Sequence, residues 1–377
     1  MRNKKTYLVI TPFFPSKYCF VGSYIYDQLN EIRNQTDFNI EIVKVVSIFN
    51  NKEDYTYDDF KIKHFKVFDL PFFIFPGIFN TFNKLRFSRF LNFRNVSNIK
   101  YIHSHVTYPS AYISEDLNCK KIIQHHGLDV LQLKNCRFKF LRKFQKNYLT
   151  YNSIKILNKF DLQIGVSNLT LSKLWNFKKY VKREEYVLYN GVNTEKFYKI
   201  NNEKNNIFTI GCVANFWKIK DQISLIKAVE YLISTGHNIK LRFVGTGKML
   251  DYCIGYVRSN KLNNFITFEN EMSHMKLNKF FNKIDLFVLP SVYEALGCVY
   301  LESWATNTPF IGIKDQGISE ILKEKKEMLS NPHDYKDLAK KISFFIENDI
   351  DMSFPAKYDI KYTMKSFFEQ DFFKNNA

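Results

Sequence analysis

The six cysteines of this 377-residue chain are scattered, at Cys19, Cys119, Cys136, Cys212, Cys253 and Cys298, and none forms a C-x-x-C pair. That excludes a cysteine zinc site and a dithiol redox motif, and dispersed thiols in a chain this long fit a reducing compartment. Long apolar runs are also missing. No stretch reaches the roughly 18 apolar residues that a membrane-spanning helix needs. The first apolar run, Tyr7 to Ile10, is broken by Thr11 and Pro12 before it could serve as a secretory h-region. The expectation is a cytoplasmic chain without a signal peptide. Metal-ligand spacing is wanting too. His103, His105, His125 and His126 fall on separate strand ends, with no helical i, i+4 pair and no acidic partner. Asp349-Ile350-Asp351 matches a metal-binding D-x-D, but in a polar loop beyond the last sheet element, so we read it as coincidence and expect no metal. Acidic residues are the scarce charge: 37 against 55 basic, a net charge of +18. Such a balance favours anionic partners, whether nucleic acid, acidic lipid or sugar nucleotides.

What the chain does contain is organised around Phe287 to Ile313, FVLPSVYEALGCVYLESWATNTPFIGI. The apolar run Ile284 to Leu289 ends at Pro290, as a buried strand ends at a loop. Glu294 and Glu302 follow, eight residues apart. A helix over about Cys298 to Ala305 would turn Glu302 inward while Glu294 stays on the loop. Gly297 lies between them, where a side chain would keep a ligand off the backbone. Carboxylates only accept hydrogen bonds and sugar hydroxyls donate them well, so the pair suits a sugar or a ribose. Two glutamates alone would favour a solvated surface helix; the strand, loop, helix and strand around them favour a site.

In this context the stretch resembles the E-x7-E signature of retaining glycosyltransferases of family four, which have the GT-B fold. The resemblance takes in Pro290-Ser291, the Glu294-Ala295-Leu296-Gly297 loop, the Ala305 to Pro309 turn and the following Gln316-Gly317-Ile318-Ser319-Glu320-Ile321. It covers nearly the whole chain, most strongly Ile207 to Ile321 and least Asn50 to Lys100. It implies an α/β protein with two doubly wound Rossmann-like domains facing an interdomain cleft. We set these at residues 1–198 on the acceptor side and 199–355 on the donor side, with a C-terminal helix over 356–377 returning to the first.

Strand and helix patterns along the chain agree with two α/β halves. In the first half, strands are expected at Tyr7 to Ile10, Phe38 to Val46, Ile62 to Phe68 and Asp161 to Val166, with two more ending in the histidine pairs. A helix is expected from Ser23 to Asn34. The loop into that helix is a ready anion site, and the resemblance implies a glycine there beside the donor phosphates, a place that Gly22 takes. His126, Gly127 and Asp129 resemble the family's His-Gly-x-Asp stretch, which implies that His126 lines the acceptor side. For His103 and His105 we prefer hydrogen-bonded strand-end packing. Tyr186 to Asn193 resembles the strand and turn that close the first domain, with Asn193 in place of the usual aspartate. Lys199 to Asn206 reads as a linker.

In the second half, strands are expected at Phe208 to Ala214, Leu241 to Val244 and Phe265 to Phe268, with a helix at Ile223 to Leu232. Asn215 to Asp221, NFWKIKD, resembles the family's phosphate loop. Lys220 takes its lysine position, but Asn215 stands where relatives carry arginine, and Lys218 is the cation left to take that charge. Arginine and lysine are not equivalent at a bidentate contact. The resemblance therefore implies transfer of a sugar from a nucleotide-diphosphate sugar, with retention at the anomeric carbon. Glu302 would sit on the ribose, Glu294 on the sugar, and Lys220 on the departing diphosphate, with no cofactor or metal. Two segments, Pro71 to Arg94 and Lys134 to Lys159, mix cations with phenylalanines and carry no acidic residue, as helices lying on an anionic membrane do. A core helix with a solvated basic face would read the same. The first pattern implies a lipid-linked or lipopolysaccharide acceptor at the inner membrane face. Two other classes remain open: a GT-B sugar-nucleotide epimerase, which needs no second substrate, and a basic nucleic-acid binder, for which no recognition motif is present.

Overall fold

The computed structural model describes residues 4–17, 19–70, 75–127, 139–201, 206–348, 350 and 352–374. They fall into two compact units. The first runs to Tyr189 and takes in the chain again from Met364; the second is Asn190–Thr363.

Chain order in the first unit is β1 (Thr6–Thr11), α1 (Ser23–Gln35), β2 (Asn39–Ser47), β3 (Tyr55–Tyr57), β4 (Phe60–Val67), α2 (Asn80–Phe93), β5 (Ile99–His105), α3 (Tyr112–Ser114), β6 (Lys120–His125), α4 (Arg142–Leu157), β7 (Leu162–Gly165), α5 (Asn168–Trp175) and β8 (Glu184–Val187). The sheet order is β3-β4-β2-β1-β5-β6-β7-β8. Only β3, at the edge, runs antiparallel, pairing with β4. The central β1 is buried at every position, as expected where helices cover both faces of a parallel sheet. Leu8, Ile10, Val43, Phe65 and Ile102 pack with Phe87 and Leu91 of α2. Ile123 packs with Ile154 and Leu157 of α4 and with Leu171 and Leu174 of α5.

The second unit continues with β9 (Phe208–Val213), α6 (Gln222–Ser234), β10 (Ile239–Val244), α7 (Leu250–Ser259), β11 (Ile266–Glu269), α8 (His274–Phe281), β12 (Leu286–Val288), α9 (Cys298–Ala305), β13 (Phe310–Ile313), β14 (Leu329–Ser330) and α10 (Tyr335–Glu347). Its sheet, β11-β10-β9-β12-β13-β14, is parallel throughout. The order reverses next to β9, which is where a doubly wound sheet opens its crevice at the carboxyl ends of its strands. The Asn190–Asn193 turn belongs to this unit: Val192 donates its N–H to Tyr358 O at 2.9 Å, and Ile360 returns one to Val192 O at 2.9 Å.

The tail is α11 (Ile360–Phe368) and α12 (Asp371–Lys374). Its last part packs on the first unit through aromatic contacts, Phe368 on Tyr7 at 6.3 Å and Phe373 on Tyr101 at 5.2 Å between ring centroids.

The two basic aromatic segments become α2 and α4, and they differ. On α2, Phe87 and Leu91 turn inward while Phe82, Leu85 and Phe93 are exposed. Its cations are mostly engaged within the unit. Lys84 pairs with Glu115 at 2.7 Å, Arg86 donates to Lys66 O at 2.9 Å, and Arg94 pairs with Asp54 at 2.8 Å. Among these cations Arg89 is exposed, while Lys84, Arg86 and Arg94 are half-buried. At α4 the outward residues are Phe140, just before the helix, Phe144 and Tyr151, with Arg142, Lys143, Lys146 and Lys155 exposed beside them. Pro71 to Ile74, Asp129, Lys134 to Phe138, and both aspartates of the D-x-D lie outside the described residues. No described helix is long and apolar enough to cross a membrane.

Candidate active site

In the second unit, three loops meet beyond the carboxyl ends of β9, β12 and β13. The first, after β9, is NFWKIKD. Phe216 is buried and anchors it, donating to Thr246 O at 2.7 Å and accepting from Met249 N at 2.9 Å. Gly245 and Gly247 allow this packing. Both have positive φ, and a Cβ on either would lie 2.2 Å from Ala214 O or 2.6 Å from Phe216 O. Anchored so, the loop turns through Lys218–Lys220 into α6 at Asp221, which adopts left-handed backbone with φ 49. Lys220 thus stands at a helix N-terminus, where amide N–H groups and cation together suit an anion. Asn215 and Lys218 are exposed on the same loop; the Asn215 carbonyl is taken by the Gln222 side chain at 3.1 Å.

The second loop, between β12 and α9, carries Glu294. Val292 N donates to Ile219 O at 3.0 Å, stitching this loop to the first. Lys220 Nζ consequently reaches Glu294 Oε1 in an ion pair, and Ser291 Oγ donates to the same oxygen at 3.3 Å. The sequence placed these two residues on different parts of the donor; the structure places them on each other. Ala295 and Leu296 are buried, so what they can offer a ligand is backbone. Gly297 has φ 83, and a Cβ there would press on the Tyr300 ring at 2.7 Å.

Next α9 begins. Cys298 and Glu302 are one turn apart, hence on the same face. Burial, reinforced by the charges of Glu302 and Glu294, pushes the Cys298 thiol up to about 12. It accepts from Asn190 Nδ2 at 3.3 Å. The helix N-terminus faces the same loops.

The third loop, after β13, supports the second from below. Gln316 Oε1 accepts from Glu294 N at 3.0 Å, and Gly317 N donates to Glu294 O at 3.1 Å. A Cβ at Gly317 would lie 1.7 Å from Ala295 O. Ser291, Gln316 and Asn190 were not singled out as site residues from the sequence. Gln316 stands in the quoted QGISEI segment, but nothing local there shows that its side chain folds back 22 residues.

In the first unit, Gly22 caps α1 with φ 91, and a Cβ would meet the Phe13 carbonyl carbon at 2.8 Å. The four histidines, expected on separate strand ends, lie at the ends of the adjacent strands β5 and β6, with His126 just past β6, and three of them form an array. His105 Nδ1 and His126 Nε2 share a hydrogen bond of 2.9 Å, with the rings nearly parallel at 5.2 Å. His103 stacks on His105 at 4.3 Å and bonds Tyr7 OH at 2.9 Å. His125 bonds Gln163 at 3.0 Å, and Tyr24 packs on His126 at 4.6 Å. Burial holds all four neutral: it lowers His103 and His126 to about 3 and His125 to about 4, and carries His105 well below its ordinary range. Among the described residues, no three His, Cys, Asp or Glu side chains converge as metal ligands.

Comparison with known proteins agrees with this geometry. Residues 193–361 match the family model "Glycosyl transferases group 1". An uncharacterized glycosyltransferase of Methanocaldococcus jannaschii is 28% identical over 312 residues, 78% of this chain and 79% of that protein. The capsular polysaccharide biosynthesis glycosyltransferase CapM of Staphylococcus aureus is 26% identical over 45% of this chain and 44% of its own length. Among solved structures, sucrose-phosphate synthase from Thermosynechococcus elongatus superposes with a TM-score of 0.74 at 16% identity, over 97% of this chain and 95% of that one. HepE of Anabaena, in complex with UDP and glucose, gives 0.69 at 16% identity, over 97% and 98%. The fold is GT-B, and the domain match, the relatives and the fold together support a glycosyltransferase.

Proposed function

We propose that this chain transfers a sugar from a nucleotide-diphosphate sugar to an acceptor hydroxyl, with retention at the anomeric carbon, in the synthesis of a surface polysaccharide or lipopolysaccharide. The observation that carries this is the meeting of Lys220, Glu294 and the α9 N-terminus beyond the carboxyl ends of one parallel sheet. A helix end and a lysine suit a diphosphate; a carboxylate suits sugar hydroxyls. Glu302, deeper on α9, takes the ribose. Positive charge from Lys220, aided by Lys218 on the same loop, offsets the charge that develops on the departing diphosphate. The reaction then needs no metal, and chelation leaves turnover unchanged. His126 takes the acceptor side. Kept neutral, its imidazole can donate or accept one hydrogen bond without adding charge. The relationship to CapM favours polysaccharide synthesis, and HepE is a GT-B neighbour seen with UDP and glucose.

The test is turnover of Glu294→Gln and Glu302→Gln with a panel of nucleotide sugars. Each change swaps a charged acceptor for a weaker neutral one at constant shape. Both should lose most activity with an unchanged circular dichroism spectrum; near wild-type turnover in both removes the site.

A further inference from the structure

We infer that the Lys220–Glu294 ion pair is an internal competitor which a donor diphosphate must open, so that phosphate binding and sugar binding are coupled through an exchange of partners. This rests on the donor site proposed above. Lys220 and Glu294 are partly exposed, at 23% and 14% of their side-chain surface, so a ligand can reach both. Their backbones are held. Lys220 N donates to Trp217 O at 2.8 Å, Glu294 is gripped by Gln316 and Gly317, and Val292 N ties the two loops at Ile219 O at 3.0 Å. Only the side chains are left to change partners.

A diphosphate arriving at the α6 N-terminus competes with Glu294 for the Lys220 ammonium. If it wins, the Glu294 carboxylate loses its cation and faces a like charge. A bare nucleoside diphosphate offers nothing in return. A nucleotide sugar does: its hydroxyls donate to the carboxylate and replace the lysine. Glu294 therefore discriminates in favour of donor over product. After transfer the sugar is gone, the ion pair re-forms, and the nucleoside diphosphate is weakened in place. Recognition of substrate and release of product thus come from one pair of side chains.

Calorimetric titration of the intact chain with UDP, ADP and GDP, and with inorganic pyrophosphate as a probe without a base, tests this. Glu294→Gln should bind the diphosphate more tightly than wild type, by about two- to fivefold, as expected for freeing a partly exposed ion pair. The glucose conjugate of the same nucleotide should lose its advantage over the bare diphosphate. Lys220→Met, which keeps the length of the side chain, should weaken both. Unchanged diphosphate affinity in Glu294→Gln, with Lys220→Met still weakened, overturns the competition and leaves the donor site standing. Unchanged affinity in both variants overturns the competition and the donor site together.

Discussion

At the scale of single residues, the chemistry rests on charges that the fold either pairs or suppresses. Lys220 and Glu294 are paired. The histidines are suppressed, and that has a consequence for stability. A folded histidine titrating near 3 or 4 binds fewer protons than an unfolded one titrating near about 6.5. Between those values the unfolded chain takes up protons, so stability rises with pH there. The contribution is fully present above about pH 6.5 and is lost as pH falls toward the folded values. Urea unfolding of the full chain should therefore weaken steeply between pH 7 and 5. His103→Gln should flatten that slope by about one proton, because the glutamine has none to take up. A slope identical in the variant would mean that His103 is not held neutral. Legibility was uneven at this scale. Glu294, Gly297, Glu302 and Lys220 stood out in the sequence because short motifs carry them, the strand–loop–helix–strand stretch and the NFWKIKD loop. Asn190, which reaches Cys298 across 108 positions, leaves no local trace. Nor does the pairing of Lys220 with Glu294, which depends on how loops 74 residues apart are stitched.

At the scale of elements, α9 and β13 begin and end where apolar pattern, Gly297 and Pro309 punctuate the chain, and both were legible to the residue. The helices α5, α7, α8 and α10 were not named from the sequence. Two of them, α5 and α8, are only eight residues long, whereas α10 does carry an apolar stripe at helical spacing, Leu338, Ala339, Ile342 and Phe345. The short β3 is held by antiparallel pairing to β4 and by the Tyr55 hydroxyl, which donates to Pro15 O at 2.9 Å, both tertiary causes. The shelf under the Glu294 loop is an element-scale device. Gly317 lets the third loop lie against Ala295 at a distance no side chain permits. Gly317→Ala should push the Glu294 loop outward and cut turnover by about 100-fold, the cost of displacing a catalytic group by roughly 1 Å. Turnover within a factor of about two of wild type would show that the loop tolerates the shift.

At the scale of the molecule, two α/β units were expected and are found, and the chain recrosses to the first unit through its tail. We propose that the α4 face, with Phe140, Phe144, Tyr151 and four exposed cations, and the apolar outer face of α2 dock the first unit on anionic membrane. Each cation near such a surface contributes about 1 kcal/mol, and a few inserted aromatics make attachment reversible without a spanning helix. Sedimentation with vesicles should require acidic lipid, fall with salt, and drop when Arg142, Lys143 and Lys146 become Glu. Binding indifferent to all three would return the two faces to ordinary solvated surface and favour a soluble acceptor. The central claim is transfer with retention from a nucleotide-diphosphate sugar. It is tested most directly by proton NMR of the donor with wild-type protein and no acceptor, water standing in for the acceptor hydroxyl. The expected result is release of nucleoside diphosphate together with free sugar whose first-formed anomer has the donor's configuration. A first-formed sugar of opposite configuration would contradict retention, and an epimerised sugar would make the chain an epimerase instead.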